Sequence, residues 1–352
     1  MANMTVKKPR IAAITTCVPP AKFDTLKDSK DFTPEEIKRF VQMVGVKTRY
    51  LADDTICCSD LCVAAAEDVL KKLKWERESV DALIFITHTL DYVLPATACV
   101  IQSRLGLSDR CASFDVGLGC SGYCYGLWLS TMMLDQGRFR RILLLVGETP
   151  SRMCYKSDRS VALLFGDAGS ATALEAEEPE ETGKWHFALH SDGSRFTDFV
   201  VEAGGLRNRF DEDKKKYFIK MDGANIFQFS LERVPPLVKE TMEISGATFE
   251  DVDYFIFHQA NEFIIKHLVK KLKAPIEKVP ITINAFGNVG GCSIPLTITQ
   301  GGLKRPSDRA LKLMLLGYGV GLSWASALID LRSDAVLDHL IYNPPAAREN
   351  NA

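Results

Sequence analysis

The run Phe114-Asp115-Val116-Gly117-Leu118-Gly119-Cys120-Ser121-Gly122-Tyr123 passes from an apolar strand pattern through a glycine-rich turn into a helical pattern. Cys120 falls where the helix starts. A helix N-terminus offers unpaired N–H groups and a partial positive charge. Both favour the thiolate, the nucleophilic form of cysteine. The plainer alternative is a small core residue. His258, in Phe255-Ile256-Phe257-His258-Gln259-Ala260-Asn261, ends an apolar run. A polar group there is either hydrogen-bonded in the core or put to use. Asn288 lies in a second glycine-rich turn before a helix, Phe286-Gly287-Asn288-Val289-Gly290-Gly291-Cys292-Ser293. It could equally be a turn residue or a cap.

Some fold must bring these three together. Strand patterns fall at 82–86, 112–116, 142–146, 253–257, 313–316 and 322–329. Helical patterns fall between them at 59–73, 96–105, 121–135, 225–244, 262–272 and 294–303. This alternation predicts an α/β architecture with mainly parallel pairing and both sheet faces covered. Thr33-Pro34-Glu35-Glu36 reads as a helix start, with a capping hydroxyl, proline in the first turn and acids at the positive end. Three landmarks recur at one spacing of 172 residues: Val80-Asp81 with Val252-Asp253, Cys120-Ser121 with Cys292-Ser293, and Gly147 with Gly319. They predict two similar α/β halves, 1–176 and 177–352, joined near the acidic stretch 175–181. If the halves pack about a pseudo-two-fold, the Cys120 and Asn288 turns meet at one centre, which the strand ending in His258 also feeds. The polar tail 343–352 is expected to be loosely ordered.

The chain has 43 basic and 45 acidic side chains, a net charge of −2 with histidine neutral. That balance argues against bulk binding to nucleic acid or anionic membrane. No apolar run approaches the roughly 20 residues of a membrane span. The N-terminal Lys7, Lys8 and Arg10, then the short run 11–18 before Pro19-Pro20, do not make a signal peptide. Ten cysteines in a long, core-rich chain read as free thiols in a reducing, cytoplasmic compartment. Cys57, Cys58 and Cys62 cluster without a second pair or a nearby histidine, and His186 and His190 lack a third ligand. Both groups read as structural, and no metal is expected.

Taken in order, the motifs resemble the thiolase superfamily and, within it, the β-ketoacyl-acyl-carrier-protein synthase III family. They begin with Val46-Lys47-Thr48-Arg49, the Cys120 turn, Ser157-Asp158-Arg159 and Leu164-Phe165-Gly166-Asp167-Ala168-Gly169. Ser191-Asp192-Gly193, Lys220-Met221-Asp222-Gly223, His258-Gln259-Ala260-Asn261 and Gly287-Asn288 follow. Gly317-Tyr318-Gly319-Val320-Gly321-Leu322-Ser323-Trp324 closes the series. The resemblance implies a thiolase fold of two αβαβα halves in five layers, usually a homodimer. It implies a catalytic Cys120, His258 and Asn288, with backbone N–H groups of Cys120 and Val320 holding an oxyanion. It implies an acyl group loaded on Cys120 and condensed with malonyl-carrier protein after loss of carbon dioxide, with no metal or redox cofactor.

Departures from the family pattern bear on substrate. In the stretch 39–46 the residue that stacks on coenzyme A is replaced by Arg39, and an arginine by Met43, although Arg159 matches a family arginine at that site. The donor is therefore expected on a carrier protein, with acyl-coenzyme A as the alternative. Phe263 replaces a carrier-docking arginine, leaving Lys266, Lys270 and Lys271 as a candidate basic face. Leu94, before Pro95, matches a position that reaches the partner's acyl pocket, where leucine would admit a longer or branched chain. An acyltransferase delivering the acyl group to an alcohol or amine, with His258 as base, is the second expectation. A silent partner subunit is disfavoured by the complete triad. A thiolase is disfavoured because Cys124 and Cys292 look structural.

Overall fold

The computed structural model describes residues 2–7, 9–176 and 184–344. The central part of the expected join and residues 345–352 of the tail lie outside them. Six strands form one sheet, in the order Val336–Ile341, Arg10–Val18, Ala168–Glu175, Arg141–Glu148, Ala82–Ile86, Ala112–Val116. Five form a second, in the order Ala2–Lys7, Lys184–Ser191, Ser323–Leu331, Leu311–Gly319, Tyr254–Phe257. Four consecutive strands of each sheet occupy equivalent places: Arg10–Val18, Ala168–Glu175, Arg141–Glu148 and Ala82–Ile86 in the first, and Lys184–Ser191, Ser323–Leu331, Leu311–Gly319 and Tyr254–Phe257 in the second. Asp81 and Asp253 also do the same work one residue ahead of their strands. Asp81 accepts the Arg140 and Arg141 N–H groups, and Asp253 accepts the Lys312 N–H.

Pairing is mixed, which corrects the mainly parallel expectation. In these two sheets four neighbouring pairs are parallel and five antiparallel. Three residues link Leu311–Gly319 to Ser323–Leu331, far too few for a parallel crossover. Arg10–Val18, Ala168–Glu175 and Lys184–Ser191 supply the other antiparallel pairs.

Alternation along the strands builds five layers. Leu83, Phe85, Leu143 and Leu145 face outward onto Cys58–Leu73 and Thr97–Arg104. Ile84, Ile86, Leu144 and Val146 face inward onto Gly122–Asp135 and Ser293–Gln300. Ile256, Leu313 and Leu315 close on this middle layer from the second sheet. Phe255, Phe257, Met314 and Leu316 face the last layer, Gly223–Ser245 and Glu262–Leu272. Buried on both faces, these strands read as continuous apolar runs.

The expected helix start at Thr33 is present, and its cap is reciprocal: Thr33 Oγ1 accepts the Glu36 N–H, and Glu36 accepts the Thr33 N–H. All ten cysteines are free. His186 bonds Thr5, and His190 bonds Glu240 and stacks on Trp324. Among the described residues no helix is long and apolar enough to cross a membrane.

Candidate active site

Strand ends from both sheets converge in the middle layer. The chain leaves Ala112–Val116, turns through Gly119, and places Cys120 just before the helix Gly122–Asp135. Two other turns pack directly on this one. A Cβ added at Gly291 would lie 2.7 Å from the Gly119 carbonyl oxygen, so the Asn288 turn abuts the Cys120 turn. A Cβ at Gly319 would lie 2.6 Å from Cys120 Sγ, so the strand end at Gly319 abuts the sulfur itself. Ser121 and Ser323 tie the latter pair through a buried 2.7 Å hydroxyl contact, and Ser323 Oγ also donates to the Val320 carbonyl at 3.0 Å. This hairpin carries the Val320 N–H to the sulfur.

His258 follows Tyr254–Phe257 and is fixed on three sides. Its N–H donates to the Leu316 carbonyl at 2.7 Å, its Nδ1 meets Ser293 Oγ at 2.8 Å, and its ring lies edge-on to Tyr318. Asn288 is held by its backbone, donating to the Leu164 carbonyl and accepting from the Gly166 N–H. Its Oδ1 accepts the Gly290 N–H at 3.0 Å, which leaves the Nδ2 amide to donate elsewhere. Gln259 braces the same segment, its Oε1 accepting the N–H groups of Thr282 and Ile283.

Burial sets the charge states. It pushes the Cys120 thiol up to about 11, against the lowering effect of the Val320 N–H, and nearby Glu148 pushes the same way as burial. It pulls the His258 imidazole down to about 3. This corrects the thiolate expectation: removing the sulfur from water outweighs the helix N-terminus, and the resting site holds a neutral thiol and a neutral imidazole.

A cavity of about 230 Å³ opens at Cys120. Its walls include Met153, Phe165, Phe199 and Ile219, together with His88 and Glu148. His258 and Asn288 are buried and lie outside this lining. His88 and Glu148 are functional candidates that the sequence reading missed. Both lie just beyond the apolar runs of parallel strands, where α/β sheets gather their ligands, and that rule would have found them.

The remaining expected residues stand apart from the thiol. The Arg159 guanidinium pairs with Glu36 at 2.9 Å on the wall of a separate groove with Lys215, Lys216 and Lys220. Leu94 is 81% exposed, in an apolar loop with Leu90, Tyr92 and Val93. Phe263 is half-exposed, packed on His267 and Phe227. Lys266 is paired with Glu262, and Lys271 donates to the Leu231 carbonyl. Among the described residues no cluster of His, Cys, Asp and Glu has the makings of a metal site.

Five layers, with a cysteine at the head of a central helix and a histidine and asparagine delivered from the second half, define a condensing enzyme of the thiolase fold. Residues 114–193 match the family model described as 3-oxoacyl-[acyl-carrier-protein (ACP)] synthase III, and residues 242–331 match its C-terminal counterpart. A β-ketoacyl-[acyl-carrier-protein] synthase III from Koribacter versatilis is 31% identical over 91% of this chain and 99% of its own length. One from Clostridium perfringens is 33% identical over 82% of this chain and 88% of its own. The crystal structure of a 3-oxoacyl-(acyl-carrier protein) synthase from Burkholderia xenovorans LB400 superposes with a TM-score of 0.93 at 39% identity, covering 97% of this chain and 99% of that one. The chain belongs to the 3-oxoacyl-[acyl-carrier-protein] synthase III family and is an acyl-transferring condensing enzyme.

Proposed function

We propose that Cys120 accepts an acyl group from a thioester and that the chain condenses it with malonyl-carrier protein, in fatty-acid or specialised lipid or polyketide synthesis. The observation that carries this reading is the packing of the Asn288 turn and the Val320 hairpin on the turn that bears the buried Cys120, with His258 joined to the Asn288 side through Ser293.

Cys120 Sγ attacks the acyl carbonyl. Its proton passes to the departing donor sulfur, and the N–H groups of Cys120 and Val320 bind the oxyanion. Malonyl-carrier then loses carbon dioxide. The electron pair of the broken C–C bond becomes an enolate, whose oxygen accepts hydrogen bonds from His258 Nε2–H and Asn288 Nδ2. This role uses the tautomer with the hydrogen on Nε2, in which Nδ1 accepts the Ser293 hydroxyl while Ser293 Oγ accepts the Gln259 N–H. The carbanion attacks the acyl carbon, the C–S bond breaks, and a 3-oxoacyl thioester leaves. Electrons balance between the two thioesters, so the chemistry calls for neither a metal nor a redox cofactor.

Arg159, already paired with Glu36, supports a donor carried on protein over acyl-coenzyme A. The apolar loop at 90–94 supports a homodimer, with a second copy covering Leu94. The free thiols support a cytoplasmic enzyme built from halves 1–176 and 177–352.

Intact-protein mass spectrometry with acyl-coenzyme A and acyl-carrier donors, followed by malonyl-carrier, tests the reading. Cys120→Ser is expected to abolish the stable thioester adduct. Asn288→Ala is expected to load normally but condense at least 100-fold more slowly. Full condensation by Asn288→Ala would sink the mechanism. An adduct discharged only onto alcohols or amines would assign an acyltransferase instead.

A further inference from the structure

The cavity at Cys120 is walled mainly by hydrocarbon, yet it contains an imidazole that the proposed reaction does not use. His88 follows the strand Ala82–Ile86, and Glu148 ends the neighbouring parallel strand Arg141–Glu148. The buried Glu148 carboxyl clamps the segment that carries His88. Its Oε1 accepts the His88 N–H at 3.0 Å, and its Oε2 accepts Thr89 Oγ1 at 3.0 Å and faces Thr87 Oγ1 at 3.5 Å. Thr89 Oγ1 in turn accepts the Thr149 N–H at 3.1 Å. The backbone at His88 is thus held from two directions, with the carboxyl within electrostatic reach of the ring.

The ring itself stands against the residue that precedes the nucleophile. A Cβ added at Gly119 would lie 3.3 Å from His88 Nδ1 and 3.5 Å from Cε1. The same Cβ would lie 2.9 Å from Val320 Cγ1, so His88 and Val320 flank Gly119 together. Val320 also brings its N–H to the sulfur. Cys120 and His88 line the same cavity, so an acyl group on the sulfur that enters it passes the imidazole. His88 is exposed, and among the described residues neither of its ring nitrogens bonds to another protein group, in a wall that also holds Glu148 and the apolar Met153, Phe165, Phe199 and Ile219.

Resting on the acyl-loading reading above, we propose that His88 is a specificity-determining residue. It selects a short acyl group bearing a hydroxyl or oxo oxygen within two carbons of the thioester carbonyl, over the plain alkyl chain of the same length. A bare alkyl group would strip water from the ring nitrogens and offer nothing in return. An oxygenated one replaces that water with a hydrogen bond of its own, at a backbone position the Glu148 clamp has already fixed. Sites built to hydrogen-bond a substrate oxygen discriminate strongly against analogues that lack it, because their own polar group is left unpaired. The volume of about 230 Å³ suits such a group, since a cavity of about 150 Å³ already admits benzene.

The test is a competition among butyryl, 2-hydroxybutyryl, 3-hydroxybutyryl and 3-oxobutyryl thioesters of pantetheine, read as the Cys120 adduct by intact mass. Pantetheine donors remove the choice between coenzyme A and carrier protein from the comparison. The wild-type chain is expected to favour an oxygenated acyl group over butyryl by at least tenfold. His88→Leu is expected to reduce that ratio at least tenfold, and His88→Gln, which keeps a hydrogen-bonding group, to retain most of it. Equal or better loading of butyryl by the wild-type chain would overturn the proposal, as would an unchanged ratio in His88→Leu. Should His88→Leu fail to fold, the wild-type ratio and His88→Gln still decide. No adduct from any donor would instead remove the acyl-loading reading itself, a failure distinct from loading without selectivity.

Discussion

A single hydrogen at Gly319 separates a working nucleophile from a crowded one. The Cβ of alanine there would lie 2.6 Å from Cys120 Sγ and 2.8 Å from its Cβ, well inside contact distance. Either the thiol or the hairpin must move, and the Val320 N–H moves with the hairpin. Loss of one oxyanion donor typically costs about 10²–10³ in rate. Gly319→Ala is therefore expected to slow single-turnover acylation of Cys120 by about 100-fold, while overpacking costs about 1–3 kcal/mol of stability. A rate within threefold of the wild-type value in a rapid-quench mass measurement would exclude this role for the hairpin. Cys120 and His258 stood out in the sequence because each sits where an apolar run meets a turn, and Asn288 because of its glycine-rich turn, but it was the family resemblance that joined the three into one candidate site. The charge state of Cys120 was not legible, because burial is a property of the packed site and no one-dimensional pattern carries it. His88 and Glu148 were missed because a lone polar residue after an apolar run is also the ordinary end of a strand.

Elements hold the site through clamps of the Gln259 kind. Its carboxamide oxygen takes two buried N–H groups, Thr282 at 2.9 Å and Ile283 at 3.2 Å, at the head of the segment leading to Asn288. Its Nε2 donates back to the Phe257 carbonyl at 2.9 Å, just before His258. Gln259→Ala leaves those two donors unsatisfied, at about 1–3 kcal/mol each. The expected result is a lower urea midpoint and a larger loss in condensation than in loading, since Asn288 is displaced while Cys120 keeps its own turn. Equal losses in both half-reactions would place the clamp's effect elsewhere. The helices flanking the site followed directly from apolar periodicity, 262–272 at both ends. Four strands with antiparallel pairing, Ala2–Lys7, Arg10–Val18, Ala168–Glu175 and Lys184–Ser191, did not. Ala168–Glu175 is rich in alanine, glycine and serine, and its strand character comes from pairing on both sides with Arg10–Val18 and Arg141–Glu148.

Across the whole molecule, the 172-residue spacing becomes two sheets with four strands in matching order, and the chain ends then trade places. Ala2–Lys7 edges the second sheet beside Lys184–Ser191, and Val336–Ile341 edges the first beside Arg10–Val18. Spacing arithmetic carried the duplication but not this exchange, which pairs residues more than 300 positions apart in the first sheet. The exchange and the shared middle layer make the halves one cooperative body, so titrations in either are felt by both. Burial raises Cys17, Cys124, Cys154 and Cys292 to about 12 and Cys120 to about 11, and pushes Cys58 and Cys62 up as well. The native chain therefore keeps protons that the unfolded chain gives up above about pH 9. The unfolded state then binds fewer protons, so the thiols' contribution is level below about pH 9 and stability falls as pH rises toward the native values. Each such thiol contributes a loss of about 1.4 kcal/mol per pH unit in that window. The thermal midpoint is expected to hold from pH 7 to 8.5 and to drop steeply between pH 9 and 10.5. Cys17→Ala and Cys292→Ala, combined, should make that drop shallower even though each leaves a small cavity at pH 7. A midpoint that stays level to pH 10.5, or a slope indifferent to removing both thiols, would mean that the thiols ionise without opening the core.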